Sequence, residues 1–322
     1  MRKSSLALAI IFAAYILIAP SSLSKLDMGT TDGSELNYKF KYTGIVGVGN
    51  EVMPLVGQLS KDGLKMYLTS QNFKGEKQLY VMRRADIGGH FDKPVRLRGT
   101  INSAEYDIIM PTVSADERTM IFVSSVDGTQ KGNELFISSK DESMANDLFI
   151  THRVGEDGPF VNVRSLDEIN DPELSDSYPW LSNDGLRLYF TKQKGSQIEY
   201  HVAARENLND RFNKPKKLEL ELPKISNNMS CFLSADELEV FALSGSQIFH
   251  ASREHLGGKF TSPVEIAHSG DEGYMSGITM TQDNGELFVF NSVGFRNTQI
   301  LRFVNTEAGK ADKTKVTASE DR

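Results

Sequence analysis

The sequence predicts an all-β fold, a single β-propeller of five four-stranded blades closed by an N-terminal strand. Three observations predict it. A Ser or Thr is followed two residues later by Asp and seven residues later by an apolar strand residue, in five frames: Ser60/Asp62/Tyr67, Ser114/Asp116/Ile121, Ser182/Asp184/Tyr189, Ser234/Asp236/Phe241 and Thr281/Asp283/Phe288. Each frame lies between two apolar runs, so the Asp turns the chain and a hairpin follows. Phe91-Asp92-Lys93-Pro94 is echoed by Phe212-Asn213-Lys214-Pro215 and Phe260-Thr261-Ser262-Pro263, which place a Pro on an outer strand, where a missing amide donor costs least. Finally, an unassigned apolar stretch, Tyr38 to Val48, precedes the first repeat, while the last repeat lacks its outer strand.

Taken in order, the chain opens with Arg2 and Lys3, an apolar run from Leu6 to Ala19, then Pro20 and small residues to Ser24, which reads as an export signal over residues 1–24. An apolar core of about 14 residues falls short of the ~20 that span a bilayer, so cleavage is expected, with a retained N-terminal anchor as the alternative. The propeller domain then covers residues 25–305. Its first blade has strands at Leu55 to Leu59, Lys65 to Thr69, Gln78 to Arg83 and Pro94 to Leu97, with turns at Asp62-Gly63, near Lys74-Gly75 and at Gly88-Gly89. The second repeat is longer, and an insertion is expected between Lys140 and Pro159, with six blades as the alternative if the extra length hides a degenerate one. Pairing Tyr38 to Val48 with the last blade hides two open strand edges at once. Residues 306–322 are polar and patternless, and a disordered tail is expected there.

An inner strand ending in Pro-x-x-Ser-x-Asp-Gly, followed by Leu-Tyr-Phe and Leu-Tyr-Val strands and by Phe-x-x-Pro-x-x-Leu and Ile-Asn, resembles the WD40-like repeat of TolB-type propellers. Ile169-Asn170 through Pro179-Trp180-Leu181-Ser182-Asn183-Asp184-Gly185 to Leu188-Tyr189-Phe190 lies close to that pattern, as does Leu79-Tyr80-Val81 through Ile101-Asn102 to Ser114. The resemblance spans about residues 36 to 305 and looks most like the bacterial cell-envelope subset. It implies a fold strongly and an activity weakly, since such folds host scaffolds, receptors and enzymes.

The formal charge is −7, and loss of Arg2 and Lys3 with the leader takes it to −9, a balance that opposes a nucleic-acid partner. The single Cys, Cys231, excludes an internal disulfide and falls in an inner strand as a packed thiol. The six His show no metal-ligand spacing, and neither a metal nor a cofactor is expected. Counting nine residues back from each frame hydroxyl gives Glu51, Glu105, Glu173, Ile225 and Glu272, four carboxylates in five positions. With Asp107, Asp176, Asn228 and Trp180 they form a candidate binding face on the side where inner strands begin. No catalytic residue is singled out. Trp180 to Asp184 is similar to a glycosidase nucleophile box, but Asp184 is the repeat's turn residue. The expected function is an exported, non-enzymatic, monomeric propeller, periplasmic or secreted, with no stable membrane span, that holds an envelope protein or glycan. A carbohydrate hydrolase or lyase using Glu105, Asp107 or Asp176 is the alternative.

Overall fold

The computed structural model describes residues 40–49, 52–71, 76–102, 107–124, 130–131, 134–135, 146–155, 157–220, 230–268, 274–292 and 298–306. Strand β1 (Phe40–Val46) opens this region. The first blade is β2 (Met53–Leu59), β3 (Lys65–Gln71), β4 (Lys77–Arg83) and β5 (Val95–Arg96). The second is β6 (Ile108–Val113) and β7 (Thr119–Ser124), a small hairpin of β8 (Gln130–Lys131) and β9 (Glu134–Leu135), then β10 (Asp147–His152) and β11 (Val161–Ser165). The third runs β12 (Ser175–Leu181), β13 (Arg187–Lys194), β14 (Gln197–Ala204) and β15 (Lys216–Lys217), the fourth β16 (Cys231–Leu233), β17 (Glu239–Ser244), β18 (Gln247–Ser252) and β19 (Val264–His268). β20 (Tyr274–Met280), β21 (Glu286–Ser292) and β22 (Thr298–Asn305) complete the ring.

Five four-stranded antiparallel sheets result, and the fifth has the order β1-β22-β21-β20. β1 pairs with β22 from Phe40 opposite Asn305 to Val46 opposite Ile300, with one bulge between Tyr42 and Gly44. The closing strand expected from the sequence is therefore present, and the ring has five blades. The second strand of each blade is sandwiched between neighbouring sheets, which is why β3 and β21 are buried along almost their whole length, around the apolar stretches Met66-Tyr67-Leu68 and Leu287-Phe288-Val289-Phe290. Outer strands such as β5 and β15 are exposed and two residues long, a short edge that offers little to another chain.

The repeat's side chains explain themselves in three contacts. Ser60 Oγ donates to Asp62 Oδ1 at 2.6 Å, while Asp62 Oδ1 accepts the Leu64 amide at 2.9 Å and Ser60 Oγ accepts the Lys65 amide at 2.8 Å. The same Ser-to-Asp bond recurs at 2.6 Å for Ser114, Ser182 and Ser234. At the foot of the third strand, Arg84, Arg153, Arg205 and Arg253 lie over Phe91, Phe160, Phe212 and Phe260, with guanidinium carbons 4.6–4.8 Å from the ring centroids. The Phe of each Phe-x-x-Pro segment is thus the floor on which that arginine rests. Asn102, of the Ile-Asn pair, accepts the Leu79 amide at 2.9 Å and donates to Leu79 O and Leu97 O, stitching the outer edge where pairing stops.

One expectation is corrected. The extra length of the second repeat falls between Ser124 and Asp147, which overlaps the expected Lys140-to-Pro159 span only up to Asn146, because Asp147–His152 is the blade's third strand, in register with β7 from Asp147 opposite Ser124. Leu148, Phe149 and Ile150 are buried there, which fixes the choice of strand.

Candidate functional site

The inner strands β2, β6, β12, β16 and β20 surround the channel, and their N-terminal ends open on one face. On that face Asp107 pairs with Lys77, Nζ to Oδ2 at 2.9 Å, and Glu173 pairs with Lys194 at 2.9 Å with both side chains largely exposed. Exposed pairs of this kind contribute little to stability and remain available to a partner. Asp176 differs. It is buried, its Oδ1 sits 2.9 Å from Lys192 Nζ, and its Oδ2 accepts the Asp171 amide at 3.1 Å. Burial pushes its carboxyl up to about 6, although Lys192 works in the opposite direction.

Just inside this face the inner strands bulge. The ladders slip between Pro54 and Val56, Ile109 and Thr112, Ser177 and Trp180, and Met275 and Gly277. Met110 and Tyr178 take left-handed backbone at φ 55° and 52°. A left-handed non-glycine residue costs about 1–2 kcal/mol, and bulges of this sort re-aim side chains toward a site. The Tyr178 phenol is raised above its usual range by burial, with a further contribution from Tyr274, whose side chain is part-exposed at the strand's start. Val56, Gln58, Met110, Pro111, Tyr178 and Cys231 close around a cavity of about 10 Å³, room for roughly one water.

Further along, the channel is tied shut by contacts between blades that are not neighbours. Gln58 Nε2 donates to Pro179 O at 3.0 Å and Lys61 Nζ to Leu181 O at 2.7 Å, both joining the first blade to the third. Asn183 and Gln282 join the third to the fifth through reciprocal amide bonds of 3.1 and 2.9 Å. Lys61, Asn183 and Gln282 are the variable residues of their Ser/Thr-x-Asp turns. These turns therefore project their middle side chain over the channel mouth. Trp180 lies beneath, 2% exposed, edge-on to Tyr189 and Phe232, with Lys61 Nζ 4.2 Å from its ring centroid.

Buried charge clusters hold the blade boundaries. Glu117, in the second blade's turn, accepts from Lys65 Nζ at 3.0 Å, from the Tyr67 hydroxyl and from Arg153 Nη2 at 2.9 Å. Glu237 does the same for the next pair, with Arg187 and with Tyr189 at 2.6 Å. Glu286 takes Arg84 at 2.7 Å and Arg302 at 2.6 Å at the boundary between the fifth and first blades. All three carboxylates are consumed structurally.

Of the residues expected on the binding face, Asp107 and Glu173 lie at the inner-strand entrances, Asp176 is buried against Lys192, and Trp180 lies deeper, at the turn-side end of β12. Glu51, Glu105, Asn228 and Glu272 lie outside the described residues. Asp184 is bound to Ser182 and Arg187, as a turn residue should be. The lysines that balance the acids, Lys77, Lys192 and Lys194, follow no pattern along the sequence, whereas the channel-mouth trio, Lys61, Asn183 and Gln282, share one repeat position. Among the described residues no three His, Cys, Asp or Glu side chains gather as a metal site, and no helix is long and apolar enough to cross a membrane.

The geometry defines a five-bladed β-propeller with a plugged channel and a charged, tyrosine-bearing entry face. No family model matches the chain, and no curated protein matches it. Among solved structures it is similar to the periplasmic gluconolactonase of Pseudomonas aeruginosa, at 12% identity and a TM-score of 0.44 over 84% of this chain and 79% of that one. It is similar to TolB from Acinetobacter baumannii at 13% identity and a TM-score of 0.38, over 77% of this chain and 54% of that one. The catalytic domain of a GH62 α-L-arabinofuranosidase from Coprinopsis cinerea gives 9% identity and a TM-score of 0.49, over 84% of this chain and 98% of that one. Likeness of this order carries no argument about chemistry or location.

Proposed function

We propose that this chain is an exported, non-enzymatic propeller that binds a protein or glycan partner in the bacterial cell envelope through the face where its inner strands begin. One observation carries the reading: that face presents Asp107, Glu173 and the part-exposed Tyr274 at the surface, while the cavity beneath it has a volume of only about 10 Å³. Such a surface suits recognition by aromatic contact and charge. The leader-like residues 1–24 support export. Glycoside hydrolysis asks for two carboxyl groups about 5–10 Å apart across a sugar-sized pocket, whereas the raised carboxyl here, Asp176, faces a lysine.

Capture of envelope proteins and of a glycan array by the purified chain tests the reading, with Glu173→Lys/Tyr274→Ala as the comparison. Binding by the parent that weakens with salt and is lost in the folded double variant supports it. Equal binding by both would reject this face. The hydrolase reading has one observation in its favour, the raised Asp176 carboxyl, and turnover of a glycan that disappears in Asp176→Asn would establish it instead.

A further inference from the structure

Of the six large apolar side chains exposed among the described residues, Ile87, Val154, Leu208 and Leu256 stand on the face opposite the inner-strand entrances. Each follows the buried arginine that ends a blade's third strand, and that arginine's backbone amide bonds to a carbonyl just past the Ser-x-Asp turn of the same blade. The four side chains are thereby set beside the turns that carry Asp62, Asp116, Asp184 and Asp236, all of them exposed. Packing explains two of the four. Ile87 and Leu208 lie over Gly63 and Gly185, where an added Cβ would meet each of them at 2.8 Å. The second and fourth blades carry Glu117 and Glu237 at that turn position, so Val154 and Leu256 have no turn glycine to cover, yet they are 91% and 48% exposed. A single exposed aliphatic needs no explanation, whereas the same device on four blades around one axis marks a contact surface.

Charge says what fits this surface. In the five Ser/Thr-x-Asp turns and the loops that follow the third strands, exposed carboxylates outnumber exposed lysines and arginines by about two to one among the described residues. Glu206 and Glu254, exposed beside Arg205 and Arg253, belong to this set. We propose that the turn-side face docks a cationic amphipathic segment of a partner protein, whose apolar side chains rest on Val154, Leu256 and their counterparts while its lysines or arginines meet the surrounding carboxylates. A segment with basic and apolar side chains on one side supplies both chemistries at once. An anionic lipid surface is repelled by the same carboxylates. This surface lies at the opposite end of the channel from the face proposed above, and its use does not depend on that reading.

The test mixes the full chain with a labelled peptide of about 18 residues, Leu on one helical face and Lys on the other, and with a Leu/Glu counterpart. Fluorescence polarisation is expected to show binding of the Lys peptide that weakens with salt, and none of the Glu peptide. Carbodiimide cross-linking of the bound peptide should join its lysines to Asp62, Glu206 and Glu254 and not to Asp107 or Glu173. Val154→Ser/Leu256→Ser should weaken binding at least about tenfold, the loss expected for two aliphatic contacts. Val95→Ser, which removes an exposed aliphatic from the outer edge of the first blade, should change nothing. Equal affinity in the folded Val154→Ser/Leu256→Ser protein, cross-links spread over both faces, or sedimentation with phosphatidylglycerol vesicles in place of peptide binding would overturn the proposal. The cross-link map of the unaltered protein decides the matter even if the double variant fails to fold.

Discussion

Glu237 stands where the first and third blades carry Gly63 and Gly185, and its carboxylate takes Nε and Nη2 of Arg187 from the preceding blade at 2.8 and 2.7 Å. To do so it holds a left-handed backbone at φ 62°, a conformation that glycine adopts freely. Gly63 keeps that freedom and also lies beneath Ile87, whose Cδ1 would sit 2.8 Å from an added Cβ. Across the first four blades the same turn position therefore serves two designs, a glycine under an apolar cover or a glutamate that reaches across a blade boundary.

Glu237→Ala should destabilise the protein by about 3 kcal/mol, because Arg187 and Tyr189 lose their buried carboxylate acceptor, while Arg253 keeps its bonds to the Glu237 backbone oxygen and the Tyr189 hydroxyl. Glu237→Gly should lose less, by about 1 kcal/mol, since the left-handed strain goes with the side chain. Urea denaturation of both variants checks the order, and equal losses would contradict the strain argument.

A chain beginning after Val46 should aggregate or melt without cooperativity. Its last blade would expose the edge of β22 that β1 covers, together with Phe303, which Tyr42 contacts at a ring separation of 5.6 Å. Calorimetry of the truncated protein provides the check. A melt like that of the parent would show that the closing strand is dispensable.

Asp176 gives a signed pH dependence. Its carboxyl is raised to about 6 from an ordinary 3.8, so between those values the folded state binds more proton than the unfolded state. Stability should therefore fall as pH rises from about 4 to 6, by roughly 3 kcal/mol, and level off above. Asp176→Asn should lack this slope. Parallel slopes in the two proteins would show that the carboxyl is not the titrating group.

Cys231 is 3% exposed and burial pushes its thiol up to about 12. Ellman's reagent should react with it only after denaturant is added, on the timescale of unfolding. Rapid reaction in the native protein would indicate that the inner strand of the fourth blade opens locally.

The blade count and the closing strand were legible because the Ser-x-Asp frame has a local cause, two short-range hydrogen bonds that fix a turn wherever the frame occurs. The place of the insertion is illegible in the sequence for an equally physical reason. Glu134-Leu135-Phe136-Ile137 and Asp147-Leu148-Phe149-Ile150 are near copies, and no local rule says which becomes the third strand. Only pairing with β7 decides. On the candidate face, acids were visible as a repeat, whereas their lysine partners come from neighbouring strands and show no pattern along the chain. The channel-mouth residues were hidden because the variable turn position looks like surface until five turns are brought around one axis.

An odd ring cannot be tiled by pairs. Lys65–Glu117 and Arg187–Glu237 couple the first blade to the second and the third to the fourth, which leaves the fifth without a mate. Glu286 resolves the remainder by coupling the fifth back to the first through Arg84, so the first blade is clasped on both flanks. Apolar clusters close the boundaries between the second and third and between the fourth and fifth blades, so the first blade is the one that such carboxylates clasp from both sides among the described residues.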